Sequence, residues 1–190
     1  VALALVGATY ANGYVKNKVM EFVGPGVASL SADCRNGIDC MTTETTCWSS
    51  IWQTDGVTEE YLAGHGRADA YKELKPADVA YYDGCIELDL SKIECMIALP
   101  MHPSYAYPIR ELKANAKDLL HEIETRANEQ LSGKIKMDLV SKVRADGSIY
   151  VDQGIVAGCS GGTYENLCAV ADILRGKSCG NGEFKFSAYP

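Results

Sequence analysis

One cysteine lies where a strand-like segment meets a helix-like segment. An apolar run over 154–158 ends in Gly158, Cys159 follows, and Ser160-Gly161-Gly162 leads into an amphipathic segment near Thr163. This order predicts a strand, a turn and a helix with the thiol at the amino end of the helix, where peptide dipoles favour a thiolate. A thiolate can act as a nucleophile or as a metal ligand. A strand-to-helix turn also often holds a small structural residue, so both interpretations stay open.

Few other side chains suit acid–base chemistry. Glu44 follows a predicted helix among threonines, and this setting alone indicates a solvated surface carboxylate. His65 lies between two glycines at a helix end, and His121 falls on a predicted amphipathic helix. His102 lies in a proline-rich loop and could approach a site, although a structural role is favoured for it.

The cysteine pattern bears on the compartment and on metal binding. The chain has eight cysteines, 47% of its residues are apolar, and no Cys-x-x-Cys pair occurs. We therefore expect reduced thiols in a cytoplasmic protein rather than a disulfide framework, and a self-contained structural zinc site is disfavoured. Cys168 and Cys179 follow Cys159 at intervals too wide for paired ligands.

Charge and hydropathy limit the partners. The 190 residues carry a net charge of −7, and the sequence lacks the basic clusters that bind nucleic acid or anionic membranes. No apolar run approaches the roughly 20 residues that a membrane span requires. Residues 1–8 resemble a signal-peptide core without a basic segment before it, and we interpret them as an internal helix.

Strand and helix patterns alternate, which predicts an α/β fold with small parallel or mixed sheets. A linker at 72–79 divides the chain into two predicted units, 1–78 and 79–190. The predicted helices cover 1–10, 27–30, 34–43 with Asp33 as cap, 58–64, 112–131 and a segment from Thr163, and the predicted strands cover 18–23, 45–52, 82–90 and 154–158.

Four segments together carry a resemblance to a known family. They are Glu21-Phe22-Val23-Gly24-Pro25-Gly26-Val27, Met41-Thr42-Thr43-Glu44, the acidic segment 86–91 with the proline-marked loop 99–108, and Gly158-Cys159-Ser160-Gly161-Gly162-Thr163-Tyr164-Glu165-Asn166. In this order and spacing they resemble segments of the aconitase-family hydro-lyases, in a hydratase branch distinct from the citrate-processing enzymes. The resemblance implies three-layer α/β/α units, with 1–78 from the second domain and 79–190 from the third.

The resemblance also implies roles for individual residues. Cys159 would be the first thiolate ligand of a [4Fe–4S] cluster, whose open iron acts as a Lewis acid on a hydroxy-carboxylic acid. Glu44 would lie close to the iron-bound water or hydroxyl. Cys40 stands where the family has an asparagine, and Ser160 begins a turn that replaces the family's Thr-Asn-Ser; both would lie near cluster and substrate.

The chain ends at Pro190, before the family's downstream Cys-x-x-Cys could appear. We therefore expect a fragment that needs the remaining aconitase domains and that alone holds no intact cluster and no hydratase activity. Two alternatives stay open: an enzyme that uses Cys159 as nucleophile with a histidine base, and a non-catalytic interaction or regulatory domain.

Overall fold

Helices and short strands alternate along the chain. The computed structural model describes residues 1–134, 136–180 and 182–190. The helices are α1 (Ala2–Thr9), α2 (Ala32–Thr42), α3 (Gly56–Gly64), α4 (Ile109–Ala114), α5 (Ala116–Gln130), α6 (Gly158–Gly161) and α7 (Tyr164–Leu174), and the strands are β1 (Val19–Phe22), β2 (Ser49–Trp52), β3 (Met96–Ala98), β4 (Ala106–Pro108), β5 (Gln153–Ala157) and β6 (Lys185–Tyr189). This mixture of helices and small sheets confirms the predicted α/β class.

The described strands form three two-stranded sheets. β1 pairs with β2, and β5 pairs with β6, in parallel registers such as Met20 with Ser50 and Ile155 with Ser187. A parallel pair needs a crossover, which α2 provides for the first sheet and α6 with α7 for the second. β3 and β4 form an antiparallel hairpin. Each parallel sheet therefore lies within a β-helix-β unit.

Two apolar clusters make the core. The first joins Leu5, Val15 and Met20, with Phe22 and Cys47 packed against it. The second joins Leu99, Leu112, Leu120 and Ile123. Helix α1 contacts α2 on one side and the β3–β4 hairpin on the other, and it therefore links the first half of the chain to the second.

The accessible surface is large for the length of the chain. It measures 12631 Å², whereas a compact monomer of this mass exposes roughly 8,900 Å². Large apolar side chains contribute to the excess, among them Trp48 at 74% and Tyr164 at 82% relative exposure. Apolar surface that a folded unit normally covers is therefore accessible in this chain.

A buried arginine fixes the orientation of α2. The Arg35 guanidinium donates to both carboxylate oxygens of Asp55, at 2.9 and 2.8 Å, and to the backbone oxygens of Val27 and Leu30, at 2.9 and 3.0 Å. Asp55 also caps α3, because its Oδ1 accepts from the backbone N–H of Val57 at 3.1 Å. Hydrogen bonds from Arg35 hold the pKa of Asp55 below its usual range, although burial of the carboxylate opposes this shift. One side chain thus joins α2, the 3-10 turn before it and the start of α3.

Several predicted elements are confirmed. The first helix, the strands at 18–23 and 154–158, and the helix that ends near Gly64 all form, and His65 caps the last of these helices. Residues 72–79 contain no helix or strand, as a linker requires. The domain boundary between 78 and 79 remains a prediction.

One predicted strand is wrong, and other predicted elements form with different bounds or a different cap. The segment 82–90 forms no strand: its alternation of apolar and acidic residues lies on an exposed irregular segment that pairs with no other described strand. The strand expected from residue 45 starts only at Ser49, because a 3-10 turn and a left-handed Thr46 precede it. Helix 112–131 begins earlier and is broken at Asn115. Ser31, rather than Asp33, caps α2 with its side chain.

Within residues 1–134, 136–180 and 182–190, every helix is too short or too polar to cross a bilayer.

We expect Arg35→Met to lower the free energy of unfolding by about 3 kcal/mol, because it leaves the partly buried Asp55 carboxylate and two backbone oxygens without their donor. The Arg35 side chain is 5% exposed and Asp55 is 24% exposed. Urea denaturation of the two proteins measures the difference. The same substitution at Arg175, whose ion pair with Asp172 is exposed, should cost less than about 1 kcal/mol.

The difference in the free energy of unfolding between the wild type and Arg35→Met should become smaller as the pH falls into the acid range. The folded-state pKa of Asp55 lies below the ordinary value of 3.8. The stabilisation of the folded chain by the ionised Asp55 carboxylate is therefore complete above pH 3.8. It is lost as the pH falls through the lowered pKa of Asp55. A difference that stays constant through this acid range, or a cost no larger than that of Arg175→Met, would contradict a stabilising role for the pair.

Candidate functional site

One face of α2 meets the segment that carries Cys159. Cys34, Gly37 and Cys40 recur at three-residue spacing, so neighbouring members of this set lie next to each other on the helix surface. α6 packs on this side with Gly37 at the point of closest approach, since a Cβ there would lie 3.3 Å from the backbone oxygen of Ser160. The glycine therefore lets the two helices approach closely enough for their thiols to meet.

The thiols of Cys40 and Cys159 interact across this contact. The largest cause that raises the pKa of the Cys40 thiol is burial of the thiol, and the next is its hydrogen bond with Cys159. Both residues are exposed, so the pair faces solvent. Cys159 lies in the first turn of the four-residue α6 and not at the amino end of the longer helix, which starts at Tyr164. The predicted position of the thiol is corrected accordingly.

The same face of α2 also holds the start of α7. The Ser31 hydroxyl donates to the Glu165 carboxylate, and the backbone N–H of Glu165 donates to Asp33 Oδ2 at 3.0 Å. Burial raises the pKa of the Cys34 thiol, and the negative charge of Glu165 raises it further. These bonds fix α7, and with it the turn that carries Cys159, against α2.

A second polar group lies at the other end of α2. Glu44 occupies the 3-10 turn Thr43–Thr45 that continues the helix, and its Oε2 lies 3.9 Å from Nε2 of His102. His102 comes from the loop between β3 and β4, and its ring stacks on Tyr10 with 3.9 Å between ring centroids. Glu44 follows Cys40 by four residues, which is about one helical turn along the same side. Cys40 on α2 and Glu44 in the turn that continues it are therefore about one turn apart at the carboxyl end of the helix.

Comparison with known proteins identifies the family. The sequence profile of the aconitase family (aconitate hydratase) matches residues 1–190. The chain belongs to the aconitase family. It is 30% identical over 163 residues to the 2,3-dimethylmalate dehydratase large subunit of Eubacterium barkeri, which covers 86% of this chain and 31% of that protein. The resemblance drawn from the four segments is thus confirmed.

Two further relatives are 3-isopropylmalate dehydratase large subunits. The protein of Caldicellulosiruptor bescii is 28% identical over 165 residues, or 87% of this chain and 30% of that protein. The large subunit 1 of Pyrococcus furiosus is 29% identical over 160 residues, or 84% of this chain and 30% of that protein. The chain thus spans about a third of the length of these relatives. Membership of the aconitase family implies an iron–sulfur cluster in its full-length members.

The surroundings of Cys159 suit one ligand of such a cluster. A Cβ added at Gly158, whose φ is +80°, or at Gly161 would meet no atom within 4 Å, so the turn leaves open space beside the thiol. A depression of about 410 Å³ lies next to this turn, lined in part by Ser160 and Asn166. Within the described part of the chain, no group of three or more His, Cys, Asp or Glu side chains could hold a metal ion. The residues present therefore fit one corner of a cluster.

The structure brings some of the predicted site residues together. Cys40 and Cys159 lie on the packed helices α2 and α6, and the Ser160 backbone oxygen faces Gly37 of α2. Glu44 lies on the same side of α2 as Cys40, and the partner that the structure shows for it is His102. The sequence analysis favoured a structural role for His102. Prolines on both sides, which restrict a loop, were the available indication that its position is fixed.

We expect dibromobimane, which bridges two neighbouring thiols, to cross-link Cys40 to Cys159 in the 190-residue chain. Peptide mapping by mass spectrometry would locate the bridge. It should disappear in Cys40→Ser and in Cys159→Ser and persist in Cys85→Ser, which removes an exposed thiol of a different segment. A map without a 40–159 bridge in the wild type would show that α6 does not pack on α2 as described.

Proposed function

We propose that the full-length protein containing this chain is an iron–sulfur hydro-lyase that removes water from a hydroxy-carboxylic acid and adds it back. The packing of α6 on α2 is the observation that supports the proposal, because it places Cys159, the proposed cluster ligand, against the helix that the Glu44 turn continues. The dehydratases named among the relatives support this reaction class. The remaining aconitase domains would supply the other ligands and the substrate's other contacts.

Cys159 is proposed as one thiolate ligand of the [4Fe–4S] cluster. Its thiol is exposed, and the glycines around it leave room for a bulky inorganic group against the backbone. When bound, the cluster supplies a Lewis acid for the substrate hydroxyl. Cys40 and Ser160 would lie beside it. Cys40 would present a thiol to the site where the family has an asparagine, so this contact would be softer and less polar than an amide.

Glu44 is proposed as the proton-transfer group. Dehydration removes a proton from one substrate carbon and hydroxide from the next, and the hydroxide leaves as water once it has received a proton. Glu44 is 43% exposed and lies at the end of α2, so its carboxyl group can reach a substrate in the space beside the helix. It would give its proton to the departing hydroxyl, while a base from the remaining aconitase domains would accept the proton from carbon; in the reverse direction Glu44 would take a proton from water and that base would return its proton to carbon.

The large apolar surface supports other domains of the same protein as partners. Exposed side chains such as Ile155 on β5, Ile173 on α7 and Val19 on β1 lie on the sheets and helices of both β-helix-β units. We propose that the remaining aconitase domains cover these faces, since the accessible surface of 12631 Å² exceeds that of a compact monomer of this mass. The cytoplasm, where thiols stay reduced, is the proposed location.

The alternative of a cysteine nucleophile has less support. A cysteine nucleophile needs a histidine base, but the partner of the Cys159 thiol is Cys40, and His102 lies against Glu44.

Anaerobic reconstitution of the full-length protein with iron and sulfide should give a brown protein, and Cys159→Ser should lose the broad visible absorption. Cys168→Ser, which removes an exposed thiol on α7 nine residues further on, is the matched control and should retain it. A colourless wild-type protein would exclude the cluster, and a brown Cys159→Ser protein with unchanged iron content would exclude this ligand.

In the same protein, Glu44→Gln should leave the visible absorption intact and lower turnover by about a hundredfold, the scale of a lost proton-transfer group. Suitable first substrates are 2,3-dimethylmalate and 3-isopropylmalate, with formation of the unsaturated acid followed by its ultraviolet absorbance. Glu60→Gln, which changes an exposed glutamate on α3, controls for loss of surface charge. Equal turnover in Glu44→Gln and Glu60→Gln would assign Glu44 to the solvated surface.

A further inference from the structure

We propose that His102 is the positioning partner of Glu44: its Nε2–H holds the Glu44 carboxyl group toward the space beside α2. This inference rests on the proton-transfer role proposed for Glu44. It adds a residue that the family resemblance does not supply, from the hairpin loop between β3 and β4. The Nε2 to Oε2 distance of 3.9 Å is the observation behind it.

The loop holds His102 in a fixed place. Leu99 N–H donates to the Tyr105 oxygen at 2.8 Å, and Tyr105 N–H donates to the His102 oxygen at 3.0 Å. Leu99 is buried in the second apolar cluster, so one end of the loop is anchored in the core. Met101 adopts a φ of +86°, a conformation that non-glycine residues rarely take and that turns the chain sharply before the histidine. These contacts fix the conformation of the loop and with it the position of the His102 ring.

Hydrogen bonding determines which ring nitrogen carries the proton. The backbone N–H of Ser104 donates to His102 Nδ1 at 3.1 Å, and the Ser104 hydroxyl lies 3.0 Å from the same nitrogen. A backbone N–H can only donate, so Nδ1 must be the acceptor in the neutral ring. The proton of the neutral imidazole therefore lies on Nε2, the nitrogen that faces Glu44. The loop thus orients a donor toward the carboxylate.

The His102 ring is also held by stacking on Tyr10. The two rings lie 3.9 Å apart at their centroids with an angle of 29° between their planes. Tyr10 is the residue that follows α1, and α1 contacts both the hairpin and the 3-10 turn that carries Glu44. The histidine side chain keeps 26% of its surface exposed. Tyr10 therefore holds the face of the His102 ring and Ser104 holds Nδ1. Nε2 faces Glu44.

The backbone of Glu44 is equally well fixed, whereas its side chain can move. Thr42 and Thr45 on either side of it are buried, and the Thr45 hydroxyl donates to the Thr42 oxygen at 2.6 Å. At 3.9 Å the distance from His102 Nε2 to Glu44 Oε2 is longer than a hydrogen bond. Hydrogen bonds of catalytic groups often shorten only when substrate is bound. A small rotation of the exposed Glu44 side chain closes the gap.

Nitrogen NMR of the 190-residue chain labelled with ¹⁵N-histidine tests the pair. Spectra are recorded at about pH 8.5, above the pKa of about 6.5 of a free imidazole, because the two tautomers of a neutral ring give different patterns. We expect the Nε2–H form for His102. His65 is an internal control, because its Nδ1 lies 2.8 Å from the Tyr61 oxygen and must carry the proton. Glu44→Gln should shift the His102 Nε2 signal and leave the His65 signals in place.

The result that would overturn the proposal is an Nδ1–H tautomer at His102, or a His102 Nε2 signal unmoved by Glu44→Gln. Substitution of His65 and of the exposed His121 by Gln assigns the three sets of signals. This experiment needs neither cluster nor substrate. Loss of the proposed hydro-lyase function would therefore leave the test of the pair intact.

A double-mutant cycle in the reconstituted full-length protein tests the positioning role. His102→Leu should lower kcat roughly tenfold with little change in KM, because a misplaced catalytic group slows the chemical step. His102→Gln, whose amide can donate from near the Nε2 position, should recover most of this loss. In a Glu44→Gln background, His102→Leu should have less than about a twofold further effect, since the two residues act together. Equal losses for Gln and Leu, or additive losses with Glu44→Gln, would assign His102 to the structure of the loop.

Discussion

The ion pair between Arg35 and Asp55 is the interaction on which the candidate site depends. It lies on the buried side of α2, where the guanidinium holds the 3-10 turn before the helix and the carboxylate caps α3. With three segments joined at one buried point, α2 cannot rotate about its axis without breaking several charge-assisted hydrogen bonds. The direction of its opposite side, and therefore of Cys40 and Glu44, follows from this constraint.

The two sides of α2 thus have different roles: one packs in the interior and the other carries candidate site residues. Its buried side, with Arg35 and Ile38, contacts the interior, and its other side, with Cys34, Gly37 and Cys40, meets α6 and α7. A catalytic group placed at the end of such a helix gains a fixed backbone while its side chain remains accessible.

Much of the architecture follows from local sequence, whereas the site requires contacts between distant residues. Helix periodicity and the Gly158-Cys159 turn predicted α1, α3 and the strand before the thiol, since these depend on nearby residues. Strand 82–90 failed because alternation is also compatible with an exposed irregular segment, and β6 was missed because its strand character shows only when it pairs with β5. The contact of Glu44 with His102 joins residues 58 positions apart, and no local pattern encodes such a distance.

The approach of α6 to α2 depends on a glycine and a backbone oxygen rather than on two matched side chains. Gly37 meets the carbonyl of Ser160, so the side chain at position 160 takes no part in setting the distance. The position of the Cys159 thiol therefore does not depend on which side chain follows it at position 160. Substitutions can accumulate at 160 without displacing Cys159, and a lineage can therefore change the polarity around its reactive sulfur while its scaffold stays the same.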